Sequence, residues 1–129
     1  MQTFKKKERL SGKKIIDKLF SDGKSFFISP FRVVWLDYNL ETKYPAQVLI
    51  TVSKKRFKRA VDRNLLKRRT REAYRKNKIS FYDFLERKGK NCAFALLYSS
   101  GKIVLYNEIE QKIILILQRL QTEYEKDIG

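Results

Sequence analysis

Apolar positions recur along the chain with two different periods, and the change from one to the other marks out its elements. Ile15, Ile16, Leu19 and Phe20 share one face of a helix that Ser11 caps and that runs to about Phe20, with Asp22-Gly23 as its stop. The stretch Phe31 to Tyr38 alternates, with Phe31, Val33 and Trp35 set against Arg32 and Val34, and Gln47 to Val52 is similarly rich in β-formers. These two segments are expected to be paired strands joined by Asn39 to Pro45. The apolar run Cys92 to Tyr98 ends at Ser99-Ser100-Gly101 and has the length of a buried strand, and Ile103 to Leu105 offers a further one. Asn107 followed by Glu110 resembles a capping box, and Ile109, Ile113, Ile116, Leu117, Leu120 and Tyr124 then follow a helical period. Ser80 to Lys88 is ambiguous: Ser80 and Asp83 suit the opening of a brief helix, which Gly89 ends quickly.

Between the second and third strand segments lies a helix of another kind. Placing residues 59 to 77 at about 100° per residue puts Val61, Leu65, Leu66 and Ala73 within an arc of about 140°. The opposite arc carries Arg63, Asn64, Lys67, Arg68, Arg71 and Arg75, and four of these succeed one another at i, i+4 spacing. Stacked like charges repel by a few tenths of a kcal/mol per pair. A polyanionic ligand removes that penalty, so a binding face is favoured over a merely solvated one. Arginine's planar fork pairs two phosphate oxygens or stacks on a base, and Asn64 adds an amide that both donates and accepts. Arg69 falls inside the apolar arc, where its stem is expected to snorkel over the core edge.

Composition changes this picture in three ways. The 129 residues fit one domain, 1–129, and the 43% of apolar residues, with nine Phe and seven Tyr, are too many for a disordered chain. Thirty Lys and Arg against fourteen Asp and Glu leave +16, which draws polyanions by field and by counterion release. The surplus is local: residues 54 to 78 hold thirteen Lys or Arg and two acids, residues 79 to 129 hold seven of each, and eight further Lys and Arg precede residue 25. That concentration points to a dedicated binding surface. Finally, there is no histidine and one cysteine, Cys92, which excludes an internal disulfide and removes the commonest general base and metal ligand. No apolar run approaches the ~20 residues of a membrane span, and the start MQTFKKKERL lacks a signal peptide's apolar stretch, so the chain reads as cytoplasmic with no membrane partner.

The segment SKKRFKRAVDRNLLKRRTREAYR, residues 53 to 75, resembles the signature of the bacterial ribonuclease P protein family. There a strand ends in a Lys-Lys pair, and a basic helix carries Arg-Asn-Arg, Lys-Arg and Arg-Glu. Here these read Lys54-Lys55, Arg63-Asn64-Leu65, Lys67-Arg68 and Arg71-Glu72, with Leu in place of the third family residue. The Lys-rich start and a helix ending Leu19-Phe20-Ser21-Asp22-Gly23 extend the likeness over about residues 4 to 78. The resemblance implies a compact single-domain α/β (α+β) fold with a mostly antiparallel four-stranded sheet and about three helices. It also implies a left-handed βαβ crossover and similarity to a domain of a small-subunit ribosomal protein.

As to function, the resemblance implies a subunit of ribonuclease P that binds the catalytic RNA and precursor tRNA and assists removal of the 5′ leader. RNA contacts are expected from Lys54, Lys55, Arg56, Lys58, Arg59, Arg63, Asn64, Lys67, Arg68, Arg71 and Arg75. A cleft for the single-stranded leader is expected to use Ile16, Phe20 and Trp35, the last two of which have ordinary core packing as an equal alternative. The Mg²⁺ that phosphodiester hydrolysis needs is expected on the RNA, leaving no catalytic residue and no metal ligand in this chain. A structural ribosomal or assembly protein is the rival reading. A DNA-binding regulator would call for a recognition helix with adaptable polar residues and usually a dimer, and the sequence suggests neither.

Overall fold

A computed structural model describes residues 3–40 and 42–128, with side chains to residue 126. A short 3-10 turn, Lys6–Glu8, leads into helix α1 (Lys13–Asp22), strands β1 (Lys24–Ile28), β2 (Phe31–Leu36) and β3 (Ala46–Val52), helices α2 (Ala60–Asn77) and α3 (Ile79–Lys88), strand β4 (Cys92–Tyr98) and helix α4 (Tyr106–Ile128). The strands form one sheet in the order β1-β2-β4-β3. β1 and β2 form a hairpin turned at Ser29-Pro30, β2 pairs antiparallel with β4, and β4 pairs parallel with β3. This is an α+β domain with a mixed sheet and four helices, one more helix than expected.

β2 and β3 are not paired with each other, because β4 lies between them. The reason is burial on both faces. Cys92–Tyr98 is apolar at every position and buried at all but one, as a central strand requires, whereas half-buried β3 suits an edge. α2 and α3 together carry the chain across from β3 to β4. Ile103 to Leu105 is irregular backbone leading into α4 rather than a strand. β1 escapes a reading by period because Lys24–Ile28 holds five residues, of which Phe26 alone is fully buried.

Helices cover the sheet on both sides. Phe31, Val33, Trp35, Phe94 and Leu96 join α2, α3 and α4 in the larger core, with Ile109, Ile113, Ile116, Leu117, Leu120 and Tyr124 supplying the apolar stripe of α4. On the other face α1 sets Leu19 against Val34, Ala93 and Ala95, with Ile15 and Ile16 partly buried around them. α1 begins at Gly12, whose φ of 103° takes the place expected for Ser11 as cap. It stops at Gly23 because there is no room for a side chain: a Cβ there would lie 2.3 Å from the Leu19 carbonyl oxygen and 2.9 Å from that of Trp35. α3 ends on Gly89 in the left-handed region, as the sequence suggested, but its cap is Lys78 rather than Ser80. Similarly, α4 starts at Tyr106, so Asn107 lies within its first turn rather than ahead of it.

The basic helix is rotated from its expected setting. Its buried residues are Leu66, Thr70, Ala73 and Tyr74, while Leu65 is half-buried and Val61 is 61% exposed. Thr70 satisfies its hydroxyl by donating to the Leu66 carbonyl at 2.8 Å, which lets a polar residue occupy the core stripe. Arg69 sits beside that stripe and donates to the Val104 carbonyl at 2.7 Å, tying α2 to the segment before α4.

Candidate nucleic-acid interface

Three pieces of chain supply the cationic surface. The first is the turn after β3, where Ser53 accepts the backbone N–H of Lys55 at 3.1 Å and of Arg56 at 3.4 Å. Phe57 anchors this turn in the core, edge-on to Tyr98, so that Lys54, Lys55, Arg56, Lys58 and Arg59 all point outward. The second is one flank of α2. Relative to the buried stripe, Asn64, Lys67, Arg68, Arg71 and Arg75 fall within an arc of about 100°. The third is the N-terminal arm, with exposed Lys5, Lys6 and Lys7.

The four-membered stack of like charges expected along α2 is modified at both ends. Arg63 folds back, donating to the carbonyls of Phe57 at 2.7 Å and Lys58 at 2.9 Å, and so braces the basic turn. Arg75 is held by Glu72 through two bonds of 2.6 and 3.0 Å. Arg75's hydrogen bond keeps the Glu72 carboxyl below the usual carboxylate range, and the same bond raises Arg75. Lys67 and Arg71 thus form the middle of the flank.

Asn64, Lys67 and Arg71 line one wall of a groove of about 480 Å³ along the free edge of β3. Phe4 and Arg9 form the facing wall and Val48 to Ile50 the floor. No periodic pattern marks Phe4 and Arg9; the sequence signal for this wall is the basic cluster before residue 25. Arg9 reaches the groove because the arm runs beside β3, with a parallel bridge to Val48 and the Leu10 N–H donating to the Val48 carbonyl at 2.9 Å.

The arm is fastened from beneath. Glu8 is fully buried at the α2–α3 junction, where it accepts from the Lys78 ammonium and from the Tyr82 hydroxyl at 2.7 Å. Lys78 also donates to the Thr3 carbonyl, the Lys5 N–H donates to Glu8 Oε2 at 2.6 Å, and Tyr74 donates to Tyr82 at 3.1 Å. Burial raises both tyrosines above their ordinary value, keeping them neutral donors. Period and composition alone do not reveal this network, because Glu8 and Lys78 lie 70 residues apart in two charge runs that read as solvent-facing.

The cleft residues divide. Phe20 is 45% exposed on α1 and Ile16 is half-buried beside it. Trp35 is 2% exposed and lies on the opposite face of the sheet, tilted against Tyr124 at 4.8 Å between ring centroids. It belongs to the core, and its place as a cleft residue on the α1 side is corrected. In an alternating strand, Val34 rather than Trp35 lies on the α1 face of β2, where it packs with Leu19. The Cys92 thiol is buried and pushed up to about 12, which fits its apolar packing.

A cationic groove, a braced basic turn and an exposed aromatic on a neighbouring helix define a small polyanion-binding α+β domain. The family model of Ribonuclease P matches residues 4–121. The ribonuclease P protein component of Porphyromonas gingivalis is 36% identical over 118 residues, which covers 89% of this chain and 84% of the relative. That of Petrotoga mobilis is 34% identical over 127 residues, covering 93% and 97%. In fold, the chain is similar to the ribonuclease P protein of Thermotoga maritima, with a TM-score of 0.64 at 24% identity over 87% of this chain and 96% of that one. The Staphylococcus aureus protein gives 0.63 at 21% identity over 88% and 94%. The chain belongs to the ribonuclease P protein family, a family of RNA-binding proteins of tRNA processing.

Proposed function

We propose that this protein binds the catalytic RNA of ribonuclease P through its basic turn and α2 flank, and the 5′ leader of precursor tRNA along the sheet face beside α1. The observation that carries this reading is the continuity of the cationic surface. Lys54 to Arg59 form the exposed turn that leads from β3 into α2, the Asn64, Lys67 and Arg71 flank of α2 lines the groove together with Arg9 of the arm, and Phe20 is exposed on α1. Fixed cations screen repulsion between two RNAs, and an exposed aromatic gives an unpaired base a stacking surface without demanding a sequence.

Hydrolysis of the phosphodiester is assigned to the RNA subunit. Among the described residues no group of three or more His, Cys, Asp or Glu side chains could hold a metal ion. In this reading the RNA is the main holder of Mg²⁺ and the protein contributes affinity. Among the described residues, no helix is long and apolar enough to cross a membrane.

The test is cleavage of a leader-bearing precursor tRNA by the matching catalytic RNA at low Mg²⁺, with and without the protein, over a range of salt. Wild-type protein should restore cleavage. Lys67→Ala and Arg71→Ala should each weaken binding and flatten the salt dependence by about 0.7–0.9 in log–log slope. These positions serve better than Arg63, whose loss also releases the turn. Unchanged cleavage together with tight binding to ribosomal RNA would overturn the proposal in favour of a structural ribosomal role.

A further inference from the structure

The α1 side of the sheet is only partly covered. Lys14 and Ile15 lie against the Tyr38–Leu40 segment, so Ile16 and Phe20, further round the helix, are on the flank toward the other end of the strands. At that end the register lines up Phe27, Arg32, Leu97 and Thr51 as one row across β1, β2, β4 and β3. Phe27 and Arg32 are exposed and Leu97 and Thr51 half-buried, so α1 does not roof this row.

Phe27 is 56% exposed. It is the one aromatic among the described sheet residues on the α1 face, since Phe26, Phe31, Trp35, Phe94 and Tyr98 all join the opposite core. An aromatic held out to water on an edge strand invites wrong pairing, and edge strands ordinarily avoid it. Arg32 stands directly across from it and makes no ion pair among the described residues. A ring and an unpaired guanidinium in adjacent cross-strand positions, their Cβ atoms about 5 Å apart, make a platform that accepts a base by stacking and its phosphate by charge.

We infer that Phe27 and Arg32 form a second base-stacking site for single-stranded RNA, at the end of the row remote from the basic turn. Unpaired RNA is the occupant that the chemistry favours, because the row is continuous through Thr51 with the turn bearing Lys54 and Lys55, and the surface is cationic. Four strands at ~4.8 Å spacing place Phe27 about 14 Å from Thr51. Only a leader long enough to cross the sheet reaches it. This inference rests on the proposed path of the leader across the α1 face.

The experiment compares binding of precursor tRNAs, their leaders shortened one nucleotide at a time down to mature tRNA, by holoenzyme carrying wild-type protein, Phe27→Ala, Phe27→Tyr or Arg32→Ala. Phe27→Ala should weaken binding of long leaders by roughly fivefold or more, an effect that vanishes below a threshold length. Phe27→Tyr should retain affinity, and Arg32→Ala should weaken long leaders with a shallower salt slope. Equal affinity of Phe27→Ala and wild type at every length, while Phe20→Ala loses leader binding, overturns the second site and leaves the leader path standing. A loss that extends equally to mature tRNA also overturns it. Wild-type holoenzyme that does not distinguish leader-bearing from leaderless tRNA overturns the path itself, and the second site with it.

Discussion

Glu72 is an acid placed on a surface whose work is to be positive. Its two bonds to Arg75 lower its own carboxyl and occupy a guanidinium that otherwise aligns with Arg71. At an exposed site such a pair adds little to stability, because solvent screens it. In the proposed function its consequence lies in binding, where Arg75 would exchange a carboxylate for a phosphate. Glu72→Gln should therefore tighten RNA binding a few-fold and steepen the log–log salt slope by up to about 0.9, as a further cation becomes available to displace counterions. Titrating catalytic RNA at several salt concentrations checks this. An unchanged slope would mean that Arg75 does not reach the RNA.

At the scale of elements, the junction of α1 with β1 is set by one missing side chain. Gly23 has an ordinary φ, so the requirement is space and not backbone freedom. A Cβ at this position meets main-chain oxygens of Leu19 and Trp35, which have no rotamer by which to give way. Gly23→Ala should cost about 1–3 kcal/mol, read by chemical denaturation. It should also shift α1, and with it Phe20, relative to the sheet.

The same junction shows what a sequence carries and what it hides. The stop at Gly23, the apolar stripe of α4 and the basic segment after β3 are local patterns, and each could be read as it stands. Strand order could not, because the signal that β4 is central is its apolarity on both faces, and that signal says nothing of which strands flank it. The setting of α2 misled for a physical reason. Val61 and Leu65 have apolar side chains but are exposed and half-buried, while Thr70 has a hydroxyl that its own helix satisfies and is buried. For Trp35, alternation alone does not say which face of a two-sided sheet looks toward α1.

Across the whole molecule the buried Glu8–Lys78 pair joins the first residues to the middle of the chain. Replacing Glu8 by Gln leaves the Lys78 ammonium enclosed with carbonyl and hydroxyl groups and no counter-charge, and should destabilise the fold by about 3–5 kcal/mol. The double variant Glu8→Met/Lys78→Met should regain most of that loss, since it removes both charges together. Urea denaturation of the three proteins distinguishes the cases. A Glu8→Gln protein as stable as wild type would show that the arm is not part of the folded unit.

The parallel pairing of β3 with β4 bears on the order in which the molecule is assembled. The hairpin of β1 and β2 closes over two residues, whereas Ala46 finds its partner at Cys92 after two intervening helices have formed. Contacts of such wide sequence separation are slow to nucleate. During synthesis β3 and the basic turn that follows it therefore emerge before the strand that seats them. The turn acquires its final shape only once Phe57 can pack on Tyr98 at the end of β4. A nascent chain thus displays its positive charge early and its binding geometry late, so productive capture of RNA is coupled to completion of the sheet.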